Sequence, residues 1–96
     1  MLVWVIYDIS SDKDRNKIAK TCKEYGLIRV QYSVFFGNIP MNQIDELAEY
    51  SKELIDIETD AVFLIPITEQ IFENKIIIGK QFNEDFATGK QTTVVF

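Results

Sequence analysis

Histidine is absent from the 96 residues, and cysteine occurs once. The first absence excludes a Ser-His-Asp or Cys-His nucleophilic system, a His-ligated zinc and an imidazole general base. The second excludes an internal disulfide and any multi-cysteine zinc or iron–sulfur cage. Long apolar runs are missing too: the longest, Met1 to Tyr7 and Ala61 to Ile67, are seven residues each, against about 20 for a membrane span. Met1 to Ile6 lacks the basic start and small-residue cleavage site of an export signal. With a lone thiol as well, the expected compartment is the cytoplasm. No internal repeat, low-complexity segment or linker is visible. Any chemistry falls to carboxylates, hydroxyls, arginine, lysine and an oxygen-seeking metal.

What is present is ordinary for a globular domain, 47% hydrophobic and 26% charged residues, and the length predicts one domain over 1–96. Such a chain buries roughly 60 to 65% of its unfolded surface, a thin core that a second copy would help. Leu2 to Tyr7 is continuous, β-branched and aromatic, which predicts a strand buried on both faces in mid-sheet. Asp8 to Asp12 supplies caps, and Lys13 to Tyr25 carries Ile18, Ala19, Cys22 and Tyr25 at helical spacing before the stop at Gly26. From Arg29 the period is two, with Val30, Tyr32, Val34 and Phe36 on a packed face and Arg29, Gln31, Ser33 and Phe35 on the other. Ile44, Leu47, Ala48, Ser51, Leu54 and Ile55 mark a second helix, acidic outside, and Ala61 to Ile65 another strand, which Pro66 limits or puts at an edge. A helical turn in Thr68 to Asn74 and a last strand near Thr92 to Phe96 follow. The pattern is an α/β or α+β sheet with helices on one side. A ferredoxin-like order needs two strands between residues 27 and 39, so either one long strand bends there or the chain reverses near Tyr32-Ser33.

The end of a buried first strand, leading into a helix, is where open sheets place ligands. Asp8 stands there with Ser10, Ser11, Asp12 and Asp14 as further oxygen donors and Arg15 one turn on, a loop able to hold Mg²⁺ or Mn²⁺ or to meet a phosphate; the same residues also serve as caps. One Asp8 is a poor metal site, whereas two copies across a dimer axis would be a better one. Arg29, Gln31 and Ser33 can donate to phosphate oxygens, and Phe35 can stack on a base or fill a subunit interface. Lys13, Lys17, Lys20 and Lys23 on the first helix form either a nucleic-acid track or a plain solvated face. Cys22 reads as a small buried hydrophobe.

Val5-Ile6-Tyr7-Asp8-Ile9-Ser10, then Asp12-Lys13 with Arg15, and above all Arg29-Val30-Gln31-Tyr32-Ser33-Val34-Phe35-Phe36-Gly37 resemble the CRISPR-associated Cas-two family, over about residues 1 to 68. The resemblance implies an α+β, ferredoxin-like βαββαβ fold with an extra C-terminal strand, and a homodimer in which a segment of about 75–96 packs on the neighbour. It implies work in spacer acquisition, bridging the Cas-one integrase and prespacer DNA, with Mg²⁺-dependent endonuclease activity on RNA or DNA. Asp8 is then the catalytic and metal residue. Arg15, Arg29, Ser10, Lys13 and Lys17 are expected to meet phosphate, and Gln31, Ser33 and Phe35 to line the dimer cleft. Ser11 and Asp14 depart from the family pattern. The alternatives are a non-catalytic DNA-binding adaptor, a ribonuclease toxin of related fold and a small-molecule sensor. Residues 1 to 37 hold six basic and four acidic side chains, and residues 38 to 96 four and eleven, which puts the phosphate-facing surface in the first part and leaves the acidic part for solvent or a basic protein.

Overall fold

The computed structural model describes residues 1–89, apart from the side chains of residues 85 and 86. The strand expected near Thr92 to Phe96 lies outside the described residues. The elements run β1 (Leu2–Asp8), α1 (Asp12–Glu24), β2 (Ile28–Gln31), β3 (Val34–Asn38), α2 (Met41–Leu54), β4 (Ala61–Ile67), α3 (Glu69–Glu73) and α4 (Glu84–Thr88). The first six make the ferredoxin-like βαββαβ, with sheet order β2-β3-β1-β4 and every neighbour antiparallel. The continuously apolar β1 is central, as expected of a strand with no polar face. Pro66 is tolerated because β4 is an edge strand.

Local chemistry sets the helix ends. Ser11 Oγ accepts the Asp14 N–H at 3.2 Å to open α1, and Gly26, at φ +86°, takes the left-handed position after its end. The buried side of α1 is Ile18, Ala19 and Cys22, and that of α2 is Ile44, Leu47 and Ser51. Both pack with Val3, Val5, Tyr7 and Phe35 in one core. Burial pushes the Cys22 thiol up to about 12, so it stays a protonated, inert packing group at neutral pH.

The stretch after Arg29 reverses at Tyr32-Ser33, so the unbroken alternation belongs to a hairpin. A bulge accompanies the reversal: Arg29 pairs with Phe35, but Gln31 pairs with Val34. Because Val34 and Phe35 are neighbours on one strand and point to opposite faces, Arg29 and Gln31 do so too. The shared polar face expected for Arg29, Gln31, Ser33 and Phe35 is therefore split. Phe35 is 0% exposed, beneath the helices, and Tyr32, expected to pack, is 74% exposed in the turn.

The second face of the sheet is only half covered. Leu2, Trp4, Phe36 and Ile67 lie under Phe72, Phe82 and Ala87. The Phe72 ring stacks on Phe36 at 4.6 Å and 8°. Lys75 braces this cover, with Nζ 3.7 Å from the Phe72 ring centroid and 2.7 Å from Glu84. Toward the other end of the same face, Phe63 (53%) and Ile65 (44%) are exposed. No helix among the described residues is long and apolar enough to cross a membrane.

Candidate functional site

Asp8 is the last residue of β1. Val3, Val5 and Tyr7 face the helices, so alternation puts Asp8 with Trp4 and Ile6 on the half-open face. Ile6 pairs with Phe63 and Trp4 with Ile65, and directly opposed residues share a face. Asp8 therefore adjoins the exposed apolar patch. It is exposed, and among the described residues no hydrogen bond or ion pair engages its carboxylate.

Three segments converge at this end of the sheet. The Tyr7 N–H donates to the Ser33 carbonyl at 3.0 Å, and Tyr7 Oη to the Tyr32 carbonyl at 3.4 Å, tying the β2–β3 turn beside the end of β1. On the other flank Asp8 pairs with Ala61. Asp60, just before it, accepts the Ser10 N–H at 3.1 Å and the Ser10 hydroxyl at 2.8 Å. Ser10 is thus held in the scaffold of the loop. Arg15 is committed in the same way: Nη1 donates to the carbonyls of Ile9 (2.7 Å) and Ser10 (3.2 Å), and the guanidinium pairs with Asp12. Both residues, expected to meet phosphate, also shape the loop that follows Asp8. Lys13, Lys17 and Gln31 are exposed, while Ser33 is half-buried in the turn.

Asp60 is the site residue that sequence reasoning missed. Its partner Ser10 is 50 positions away, so only strand pairing brings them together and no local spacing announces the contact. Hydrogen bonds from Ser10, with smaller help from Asp56 and Thr59, lower the Asp60 pKa. A carboxylate stabilised in its ionised form contributes stability above the ordinary carboxylate value of 3.8 and loses it as pH falls through the lowered folded value. The thermal midpoint of the parent protein should therefore exceed that of Asp60→Asn at pH 7, and the gap should close as the solution is acidified below about pH 4. A gap that persists unchanged in acid would show that the bond to Ser10 is not charge-assisted.

The residues suit an oxygen-seeking cation only in part. Asp8 supplies one unengaged carboxylate, and among the described residues no three acidic or thiol groups gather around a common point. Mg²⁺ keeps several waters and takes one or two carboxylates plus substrate phosphate, so the donor type fits.

A family model described as CRISPR associated protein Cas2 matches residues 1–75. A protein of Archaeoglobus fulgidus named CRISPR-associated endoribonuclease Cas2 1 is 37% identical over 79 residues, 82% of this chain and 84% of that one. The crystal structure of Streptococcus pyogenes Cas2 superposes with a TM-score of 0.70 at 26% identity, covering 82% of this chain and all of the other. A Thermoproteus tenax protein named as a Cas1/Cas2 endonuclease fusion is 43% identical over 49 residues, 51% of this chain and 19% of that longer one.

Proposed function

Since the chain belongs to the CRISPR-associated Cas2 family, we propose that it acts as a homodimer whose two Asp8 carboxylates meet near the two-fold axis and hold Mg²⁺ or Mn²⁺ for phosphodiester hydrolysis. The observation that carries this reading is the place of Asp8: an unengaged carboxylate beside exposed Phe63 and Ile65 on an uncovered sheet face. Apolar surface of this kind on a small domain is a protein-binding face. In isologous packing of a second copy over it, a residue at the two-fold axis meets its own symmetry mate, and Asp8 placed there gains the second carboxylate.

Asp8 is the group that would hold the ion. When bound, such an ion supplies activation of water and neutralisation of charge on the phosphodiester. The chain's own residues do the rest. Asp60, through Ser10, and Arg15, through the Ile9 and Ser10 carbonyls, fix the backbone of the loop that follows Asp8. Lys13, Lys17 and Arg29 attract the nucleic-acid backbone. The exposed run of Ile76 and Ile78 and the strand expected at 92–96 are the parts of the 75–96 segment suited to reach the neighbour, on the single-domain reading of 1–96.

A second reading is favoured by the fused Thermoproteus tenax relative: the dimer is an architectural adaptor that holds prespacer DNA beside a Cas1 integrase, with its acidic α2 face turned to the partner. Both readings place the protein in spacer acquisition, and both need the dimer.

The dimer is tested by Phe63→Gln with Ile65→Gln. Each lost contact counts twice in a symmetric interface, and burial of a large apolar side chain is worth about 1.5–3 kcal/mol. The dissociation constant read by sedimentation equilibrium should rise by at least about 100-fold. Cleavage should fall as monomer accumulates. A parent protein that is monomeric at micromolar concentration and still cleaves would overturn the reading.

A further inference from the structure

β2 ends the sheet, and among the described residues its outer edge pairs with nothing. Such an edge presents a row of unpaired N–H and C=O groups to which another strand can add. Both of its flanks are hollow. On the helix side, α1 and β2 enclose an open concavity of about 460 Å³, lined by Asn16, Ala19, Lys20, Lys23, Glu24 and Arg29. On the other side, β2 and the chain from Lys80 to Asn83 enclose one of about 490 Å³. The flanks differ in chemistry because alternation along β2 sorts its side chains. Arg29 opposes Phe35, which lies beneath the helices, whereas Ile28 opposes Phe36 on the second face. Ile28 and Val30 pack there with Phe82, and Gln31 and Gln81 line the same concavity. The helix flank is cationic. The ion pairs among the described residues are Arg15–Asp12 and Lys75–Glu84, so no ion pair neutralises Lys20, Lys23 or Arg29.

We infer that the β2 edge is a docking groove for an extended peptide of a protein partner, one in which acidic residues alternate with apolar ones. The peptide adds to β2 as a further strand, its main chain pairing with the open edge. Its side chains then point alternately to the two flanks: the acidic ones meet Lys20, Lys23 and Arg29, and the apolar ones meet Ile28, Val30 and Phe82. The four residues of β2 span about 13 Å, so about two side chains reach each flank. Lys20 and Lys23 stand about 4.5 Å apart along α1, and same-face residues of a strand repeat every 7 Å or so, a difference that flexible lysine stems absorb. Nucleic acid suits the pair of flanks less well. A phosphate backbone is anionic along its whole length and has no strand-pairing main chain, so it would leave both the edge and the apolar flank empty. The groove goes beyond the site proposed above and needs neither its ion nor its dimer.

The probe is a labelled seven-residue peptide alternating glutamate and valine, followed by fluorescence anisotropy. The parent protein should bind it, and a peptide of the same composition with its glutamates in one block should bind at least about tenfold more weakly. N-methylation separates strand pairing from plain charge attraction, because alternate amides of an added strand face β2 and the others face solvent. Methylating one set, the valine or the glutamate amides, should weaken binding at least about tenfold, and methylating the other set should leave it within about twofold. Lys20→Gln with Lys23→Gln should weaken binding about fivefold at low salt and leave it unchanged at about 1 M salt. Val30→Thr, which keeps the branched shape, should weaken it about threefold at every salt concentration; parent-like thermal midpoints show that both variants are folded. No binding by the parent, or equal loss from the two methylated peptides, would overturn the inference. So would an oligothymidylate that binds the parent through the lysine pair while the peptide does not, since the flank would then serve nucleic acid. Cleavage and dimerisation enter none of these readouts, so the groove and the Asp8 mechanism stand or fall separately.

Discussion

Asp8→Asn is expected to slow Mg²⁺-dependent phosphodiester cleavage by roughly 10²–10³-fold, the loss that follows removal of one group stabilising developing charge, while stability stays within about 0.5 kcal/mol of the parent. Asparagine keeps the shape of the side chain and one oxygen but not the negative charge that holds a cation. The small effect on folding follows from the surroundings of Asp8, an exposed residue at the end of β1 with no hydrogen bond or ion pair to lose among the described residues. The change should therefore separate function from fold more cleanly than substitution of Arg15, whose guanidinium braces the β1–α1 loop. Cleavage unchanged in highly purified Asp8→Asn protein would end the hydrolytic mechanism. The adaptor reading would then gain if Asp8→Ala still supported spacer integration while charge reversal at Lys13, Lys17 or Arg29 did not.

The largest loss of stability is expected from Phe36→Ala, about 3–5 kcal/mol. For a domain of this size that lowers the thermal midpoint by on the order of 15–25 °C, and it consumes much of the roughly 5–15 kcal/mol that such a fold possesses. Phe36 is fully buried, with its ring centroid 4.4 Å from Trp4, 4.6 Å from Phe72 and 6.0 Å from Phe82. Truncation leaves a void between sheet and cover, and it removes the floor on which α3 and the segment around Phe82 rest. Trypsin should then cut at Lys75 and Lys80 well before the sheet unfolds. Phe36→Leu, which keeps most of the volume, should lose little more than about 1.5 kcal/mol. A loss below about 1 kcal/mol for Phe36→Ala would show that the cover is not anchored through this ring.

Periodicity and caps made much of this molecule legible in advance. The continuous apolar run of β1 announced a central strand, the spacing of Ile18, Ala19 and Cys22 the buried side of α1, and Gly26 its end. These signals are local: each arises from a few neighbours in sequence and from backbone preferences that hold wherever the segment lies. Asp8 was legible for the same reason, as the polar residue that closes a buried strand ahead of a helix.

The hairpin at Tyr32-Ser33 was not, because its turn lacks the Asn-Gly or Asp-Gly chemistry that would mark it, and its bulge turns Gln31 to the face opposite Arg29. Phe35 keeps the face of Arg29, as alternation has it, but that face lies beneath the helices, and the reversal leaves Tyr32 in solvent. The engagement of Ser10 by Asp60 was equally hidden, since it spans the sheet. The residue types of this protein, the two long helices and the two continuously apolar strands follow from the chain alone. Which of its polar and aromatic residues are free to meet a ligand was decided by the tertiary structure, because exposure and hydrogen-bond engagement depend on strand register and on contacts between segments far apart in sequence.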